Sequence, residues 1–599
     1  MPLSVLRIAL DTQASQREEL PAIVEQQYLG GRGAASWLLA SSVPPSVAPT
    51  SSANVLILSA GPLAGRVSGI TGGMIATTRS PLTGILAHSW AIGRWGGLLR
   101  QAGFDMLALE GQSAEWCYLA IEDGKLNIHS AQALAGLDTY ATAQAVRQAL
   151  GGDWSVACLG PAGESGVAYA NIVVDGMHAA EPAGTGVVMA NKRVKAIAVR
   201  ASAPLAAVEQ ARTAAVLEGI RKRIATSEQA ASFRQYGGSL AYATTAYALG
   251  LFSYKNGQEG DLPHAVAIDR GVWAQRARRE AHGCADCPLE CATTYLRRNG
   301  EPMAYPELEA LAGFGGACGI ANPDTIIIAN DLCLRLGLDV VATSAATAFM
   351  MECQQQGLSR AGTLAWGDGE AVIAALRRLG QRQEKRDVLS LGVGEMQDIY
   401  YGSGKFAPQV KGMALPALDA RALPDLALAY AASPIGSDHR YAMSYEKLAP
   451  ELPTWLQAIQ GTVPRLIWHE RFAAAVDSVG ICRRIALMSY QVGPSEMAEL
   501  VAANLGRTLG GIDVAKLGER IVTFERLISL RYEADPDGLP HRWTHDPLES
   551  GGALGKLPTI EDLLAEYYRR HSWNQYGEPT PARLAELGIE VPEALNSDQ

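Results

Sequence analysis

Ala201-Ser-Ala-Pro204 divides this chain into two kinds of sequence. Before it stand short apolar runs at Asn54–Ser59, Asp105–Leu109, Trp116–Ile121, Ser155–Leu159, Ala168–Val174 and Lys195–Val199, most of them bounded by Gly, Pro, Asp or Ser. Runs of that length with such punctuation predict β-strands. Ser41–Ala53, rich in Ser and Pro, predicts a loop. After the divide, apolar residues recur at spacing three to four from Ala207 to about Ala225. The same spacing returns at Pro323–Leu336, Ala342–Gln356, Ala371–Gln383, Thr454–Val479, Pro494–Leu505 and Asp513–Tyr532, and it predicts helices. Pro494-Ser-Glu and Pro558-Thr-Ile-Glu-Asp carry N-terminal helix signals. The expected class is α+β: a β-rich region over residues 1–203, then mostly helical regions over 204–410 and 411–599. No internal repeat is visible in the sequence.

Composition narrows the function. The 599 residues suffice for a large core without disulfides or metals. With 48% hydrophobic and 19% charged residues, the chain is not intrinsically disordered. A net charge of −10 argues against a nucleic-acid or anionic-membrane binder. The 62 glycines exceed the usual share and imply tight turns or close approaches to a ligand. Met1-Pro-Leu-Ser-Val-Leu-Arg-Ile-Ala-Leu has no basic segment ahead of a long apolar run, so no signal peptide is expected. No window approaches the ~20 apolar residues of a membrane span. A soluble, cytoplasmic protein is the expectation.

The strongest chemical signal is Cys284-Ala-Asp-Cys287-Pro-Leu-Glu-Cys291. Three thiolates at this spacing can converge on one metal centre, with Pro288 stiffening the turn. A [4Fe–4S] cluster usually takes four cysteines. Cys482, in Asp477-Ser-Val-Gly-Ile-Cys482, is an available fourth if the fold brings it in. A structural zinc site would use the same ligands. A thioredoxin-type redox pair fits less well, because a third cysteine follows directly and no matching βαβ unit surrounds it. The other cysteines (117, 158, 318, 333 and 353) read as buried small hydrophobes. Ala183-Gly-Thr-Gly-Val-Val188 suits close approach of a phosphate to backbone amides, and equally suits an ordinary turn.

Taken together, these features resemble the aldehyde ferredoxin oxidoreductase family of tungsten enzymes. Tyr28-Leu-Gly-Gly-Arg-Gly-Ala34, Ala60-Gly-Pro-Leu63, Ser80-Pro-Leu-Thr-Gly84 and Gln101-Ala-Gly-Phe-Asp105 stand in the family's order. Gly160-Pro-Ala-Gly-Glu164 and Lys195-Ala-Ile-Ala-Val199 follow, then the cysteines, then Gly518-Glu-Arg-Ile521 and Glu525-Arg526-Leu527. The resemblance implies a base of two β-sheets carrying two helical domains. Between them would sit tungsten or molybdenum held by two pyranopterins, with magnesium between the pterin phosphates. A [4Fe–4S] cluster on Cys284, Cys287, Cys291 and Cys482 would pass electrons to a ferredoxin or a small iron–sulfur subunit. The reaction implied is interconversion of an aldehyde and its carboxylate.

The same resemblance assigns site residues. Gly93, Ala183, Gly184, Leu338, Asp339, Asp477 and Ile481 would contact the cofactor. Glu309, in Pro306-Glu-Leu-Glu309, would face the metal. His439 would transfer a proton, which suits a side chain that titrates near neutrality. Read without the resemblance, Glu309 is a helix-surface carboxylate and His439 a loop or core histidine. Departures stand beside these matches. Met74 and Pro182 replace phosphate-facing arginines, Trp90 replaces an asparagine, Leu334 an aspartate and Tyr441 a lysine. Arg79, Arg94, His178 or Lys192 would have to compensate. The departures motivate an alternative: a degenerate member serving as an iron–sulfur electron-relay or assembly subunit without the metal–pterin. Ile328 and Asp331 replace an iron-binding pair, so no iron bridging two chains is expected, although a homodimer through other contacts remains compatible.

Overall fold

The computed structural model describes residues 2–265, 269–276, 279–282, 284, 286–296, 300, 302–359, 364–381, 387–441, 445–449 and 451–596. Its N-terminal region holds two six-stranded sheets. The first contains β1 (Ser4–Ala9), β2 (Ala14–Glu19), β3 (Leu56–Ser59), β4 (Met74–Arg79), β5 (Leu86–Ala91) and β6 (Met106–Glu110), in the order β2-β1-β6-β3-β4-β5. The second contains β7 (Cys117–Glu122), β8 (Lys125–Ser130), β9 (Ser155–Leu159), β10 (Ile172–Val174), β11 (His178–Ala180) and β12 (Val194–Arg200), in the order β11-β10-β9-β12-β7-β8.

All six predicted strands are present, in β3, β6, β7, β9, β10 and β12. Their sequences are apolar throughout because both faces of each sheet are covered. Leu56, Leu58, Leu107 and Leu109 point inward and meet Leu119, Ile121, Leu159 and Ile197 of the second sheet. The alternate residues Ile57, Met106 and Ala108 face the helix Gly31–Ser42. Tyr118, Ala120, Val156 and Ala198 face Ala143 and Val146 of the helix Thr139–Leu150.

The sequence shows no repeat, yet the topology does. Read from its other end, the second sheet runs β8-β7-β12-β9-β10-β11, which is the first sheet's order advanced by one half. The senses match as well: β1 and β6 are parallel, as are β7 and β12, and the other pairs are antiparallel. Helices stand before the third strand of each half (Ala22–Tyr28 and Gly31–Ser42 in the first, Thr139–Leu150 in the second), and one stands before its last (Trp95–Gln101, Thr185–Asn191). A fold can repeat without a repeated sequence, because sheet and helix positions demand only apolar residues at the right period. The equivalent edge strands β5 and β11 meet where the Trp90 N–H donates to the Glu181 carbonyl.

The rest of the chain is mainly helical. The helices Pro323–Leu336 and Pro494–Leu505 have the predicted bounds. The predicted helix Thr454–Val479 is corrected to Thr454–Gln457 and Thr462–Val479, interrupted ahead of Gly461, whose φ is +91°. The long helices Thr462–Val479 and Gly511–Arg531 pack together. Gly518 allows it, since a Cβ there would lie 1.9 Å from the Arg471 carbonyl oxygen. No described helix is long and apolar enough to cross a membrane.

Two helices dock onto the two halves in equivalent ways. Thr462–Val479 ends at Gly480 (φ +87°), whose backbone packs on Gly61, just after β3. Pro323–Leu336 ends at Gly337 (φ +73°), whose backbone packs on Gly160, just after β9. Both glycines take the left-handed conformation that ends helices at little cost only without a Cβ. Two residues beyond each glycine the chain bonds back to the base: Cys482 N–H to Ile70 O at 2.8 Å, and Asp339 N–H to Tyr169 O at 3.2 Å. The fold thus places Cys482 and Asp339 at matching positions.

Candidate functional site

The fold brings Cys482 close enough to Cys284, Cys287 and Cys291 for the four thiols to oppose one another's ionisation. The Cys287 N–H donates to Cys284 O at 2.8 Å, closing the loop between them. Burial opposes ionisation of Cys284 first, and neighbouring Cys287 and Cys291 then oppose it further, so its thiol is pushed up to about 12. Burial likewise raises Cys482, with Cys291, Cys287 and Cys284 adding to it. Thiols that disfavour one another's ionisation need compensating positive charge to bind as thiolates, and cluster irons provide it. Partial compensation is built in: the Gly93 N–H donates to Cys284 sulfur, and Arg484 Nη1 donates to Cys291 Sγ at 3.6 Å. Among the described residues no three His, Cys, Asp or Glu side chains converge on one ion position. Zinc would require sulfurs all ~2.3 Å from one point. Four cysteine thiols are the donor set that a [4Fe–4S] cluster takes, and a structural zinc ion takes the same set.

Beside the thiols opens a cavity of about 170 Å³. A smaller space of about 70 Å³, lined by Cys291, shares Ile92, His178, Glu307 and Arg484 with it. Trp90 and Glu181 come from the meeting edges of the two sheets, Glu309 from the start of a helix, and Arg440, Arg483 and Arg484 from the C-terminal half. His439 Nε2 donates to Glu309 Oε1 at 3.2 Å, joining residues 130 positions apart. Burial works to raise the Glu309 carboxyl, but the hydrogen bond and charge of His439, with Arg440 behind it, bring it down to about 2. His439 is buried, and its Nδ1 has no hydrogen-bond partner. Burial and the nearby Asp339 carboxylate push Glu181 up to about 8, against the pull of Arg440. Arg440 Nη1 donates to Glu181 Oε2 at 3.1 Å.

The residues expected to touch a cofactor fall into two groups. Asp339 caps the helix Val340–Gln355 by accepting from the Ala342 N–H at 2.8 Å. Its other oxygen, Oδ2, is buried with no partner, and Leu338 lines the main cavity. Ala183 (φ +77°) and Gly184 (φ +66°) form a left-handed turn. Ala183 shares a small space with Asp339 and His439. A Cβ on Gly184 would lie 2.3 Å from the Ala168 carbonyl oxygen, so packing alone demands glycine there. Gly93 (φ +123°) lies beside Cys284 and His178. Asp477 and Ile481 are buried. The Asp477 carboxylate is engaged by the protein, accepting from Arg32 Nη1 at 3.0 Å and from Arg483 Nε at 2.7 Å. It does not line the cavity, and acts on it through Arg483.

The positive charge comes from Arg440, Arg483 and Arg484, which none of the family-like motifs contains. Arg79 is spent on the Gly84, Pro45 and Val47 carbonyls. Arg94 pairs with Asp153, and Lys192 holds the Ser52, Asn54 and Gly111 carbonyls. Of the four candidates only His178 lines the cavity. Met74 is buried between the sheets, so a cation there would face the apolar core. Leu334 and Trp90 line the cavity as apolar wall, and the Tyr441 side chain lies outside the described residues. Arg440, Arg483 and Arg484 stand instead where anionic oxygens could meet three guanidinium groups. The Asp477–Arg483 pairing, six residues apart, was the available signal. An orphaned buried carboxylate oxygen, a guanidinium-lined cavity and four clustered thiols fit a phosphate-bearing pterin beside an iron–sulfur cluster.

Comparison with known proteins gives these residues a context. The model of the N-terminal domain of aldehyde ferredoxin oxidoreductase matches residues 5–201, and that of domains 2 and 3 matches 215–589. The chain is 30% identical over 597 residues to the tungsten-containing aldehyde ferredoxin oxidoreductase of Pyrococcus furiosus, covering 98% of each chain. It is 29% identical, with the same coverage, to the protein of that name from Thermococcus kodakarensis. A WOR-like subunit of an aliphatic sulfonate oxidoreductase from Pyrococcus furiosus is 25% identical over 638 residues, 98% of this chain and 96% of that one. Among solved structures, the BamBC active-site complex of benzoyl coenzyme A reductase with 1,5-dienoyl-CoA shares the fold. Its TM-score is 0.81 at 22% identity, over 98% of this chain and 96% of that one. The chain belongs to the aldehyde ferredoxin oxidoreductase family.

Proposed function

We propose that this chain oxidises an aldehyde to its carboxylate, or runs the reverse reduction, at a tungsten or molybdenum bis-pyranopterin. Its electrons leave through a [4Fe–4S] cluster on Cys284, Cys287, Cys291 and Cys482. When bound, the metal–pterin supplies the two-electron change and the cluster carries electrons onward, while the protein supplies position and charge. The observation that carries this reading is the Glu309–His439 pair, set in a guanidinium-lined cavity next to four gathered thiols.

Glu309, held near 2, stays ionised at neutral pH and orients a water or a substrate oxygen by accepting its hydrogen bond. His439 is the proton carrier of the pair. Its Nε2 is fixed by Glu309 Oε1, which leaves the buried Nδ1 to take or give a proton. Arg440 and Arg483 would hold phosphate oxygens of the pterin, and the unpartnered Asp339 Oδ2 would accept a hydrogen bond from it. Gly93, Ala183, Gly184 and Leu338 shape the surrounding wall, while Ile481 and Asp477 fix the segment that carries Cys482 and Arg483. Magnesium would accompany the pterin phosphates in the same arrangement. A ferredoxin or small iron–sulfur subunit is the electron partner, and no nucleic acid or membrane takes part. Assay of the chain, purified without oxygen, with aldehydes and a low-potential acceptor tests the reading. Aldehyde-dependent reduction that tracks tungsten or molybdenum content supports it. Turnover by chain lacking both metals refutes it.

A further inference from the structure

Arg484 touches both halves of the site. It opens the short π-helical turn Arg484–Met488, two residues after Cys482. Its Nη1 donates to Cys291 Sγ at 3.6 Å, and its Nη2 donates to Glu307 Oε1 on the cavity wall. The guanidinium is nearly buried, with 12% of the side chain exposed, while Glu307 is 38% exposed. Glu307 is held in turn by Ser239, whose hydroxyl donates to Oε2 at 3.0 Å. Gly238 leaves the guanidinium its room, since a Cβ there would lie 3.1 Å from Nη1. A planar fork can serve a sulfur and a carboxylate at once, which a lysine ammonium does less well.

We propose that Arg484 and Glu307 form an opposed pair that sets the reduction potential of the cluster. This inference rests on the cluster assigned above, and it gives roles to two residues outside the ligand set. An N–H donor with positive charge beside a ligand sulfur stabilises the more negative, reduced cluster and raises its potential. Glu307 opposes that effect with its own negative charge and also fixes where the guanidinium points. Arg484 is thus a positioning and tuning residue, acting on the electron's departure rather than on the carbon being oxidised.

The test is a redox titration of the cluster by electron paramagnetic resonance, in full-length chain purified without oxygen, with iron counted first. Arg484→Gln is expected to lower the potential and Arg484→Lys to lower it less. Glu307→Gln is expected to raise it. A tenfold change in the oxidised-to-reduced ratio at fixed potential, about 59 mV for a one-electron couple, is the size to look for. Should Arg484→Gln not fold, Arg484→Lys and Glu307→Gln still carry the test. Cluster-bearing variants whose potentials do not move, or Arg484 and Glu307 variants that shift the potential in the same direction as each other, overturn the inference and leave the cluster standing. Wild-type chain without cluster iron overturns the cluster assignment and the inference with it.

Discussion

Two half-buried carboxyls in one cavity are pushed in opposite directions, which separates their roles. Glu309 is drawn down to about 2 by His439 and Arg440 despite its burial, so it is a fixed anion. Glu309→Gln should lower aldehyde oxidation by about 10²–10⁴-fold while iron, tungsten and pterin contents stay at wild-type levels; loss of cofactor in step with activity would mark the residue as structural. Glu181 lies up at about 8, raised by burial and by Asp339. An acid whose folded value is raised stabilises the fold below its ordinary value, 4.5, and loses that contribution as pH rises through about 8. Thermal melts of chain without bound cofactor should show this decline, and Glu181→Gln should flatten it. The short motifs around Glu309 and Asp339 and the family resemblance at His439 pointed to positions that the fold brings to the cavity or the space beside it. Arg440 and Arg484 were not legible, because their partners Glu181 and Cys291 lie 259 and 193 positions away and no local pattern announces such a meeting.

At the level of elements, two helix ends do the positioning. Gly480 and Gly337 end their helices in left-handed conformation against Gly61 and Gly160 and deliver Cys482 and Asp339. Gly480→Ala adds a Cβ to a residue at φ +87° that would lie 2.9 Å from Gly61 Cα. We expect it to cost about 1–3 kcal/mol and to lower cluster iron, measured by denaturant melts and iron counts; wild-type stability and iron would contradict this docking role. The helices themselves were legible, since a period near 3.6 persists over many residues in Pro323–Leu336 and Pro494–Leu505. Six strands were legible as apolar runs, but β4, buried along its whole length, was not, since Thr77, Thr78 and Arg79 interrupt its apolar pattern. β2, Ala-Ser-Gln-Arg-Glu-Glu, was not, because it is an exposed edge strand without an apolar pattern. The helix Gly31–Ser42 was hidden by its glycines. Gly31 and Gly33 are there for close packing on Asp477, Ser478 and Ile521.

Over the whole molecule, a buried charge network ties the sheet base to the helical part. Arg32 Nε and Nη2 donate to Glu525 at 2.9 and 2.6 Å, Nη1 donates to Asp477, and His88 meets Glu525 at 3.0 Å. Burial opposes ionisation of Glu525, but Arg32 and His88 outweigh it and hold the carboxyl well below the usual range. A depressed carboxyl stabilises the fold above its unfolded value and loses that contribution as pH falls through the folded one. Glu525→Gln strips Arg32 of its bidentate partner and should cost about 3–5 kcal/mol, read by denaturant melts at neutral pH, with the deficit shrinking in acid. The two-sheet base and the order of helical regions followed from patterning and family resemblance. The duplication of the base did not, since it lives in strand order alone. The central claim is that this framework holds a metal–pterin beside a cluster. The measurement that tests it most directly is elemental and pterin analysis of the chain purified without oxygen, after expression with tungsten and molybdenum supplied. The account predicts tungsten or molybdenum with pterin and about four irons per chain. Iron alone, with no pterin under those conditions, would contradict it and support the electron-relay alternative.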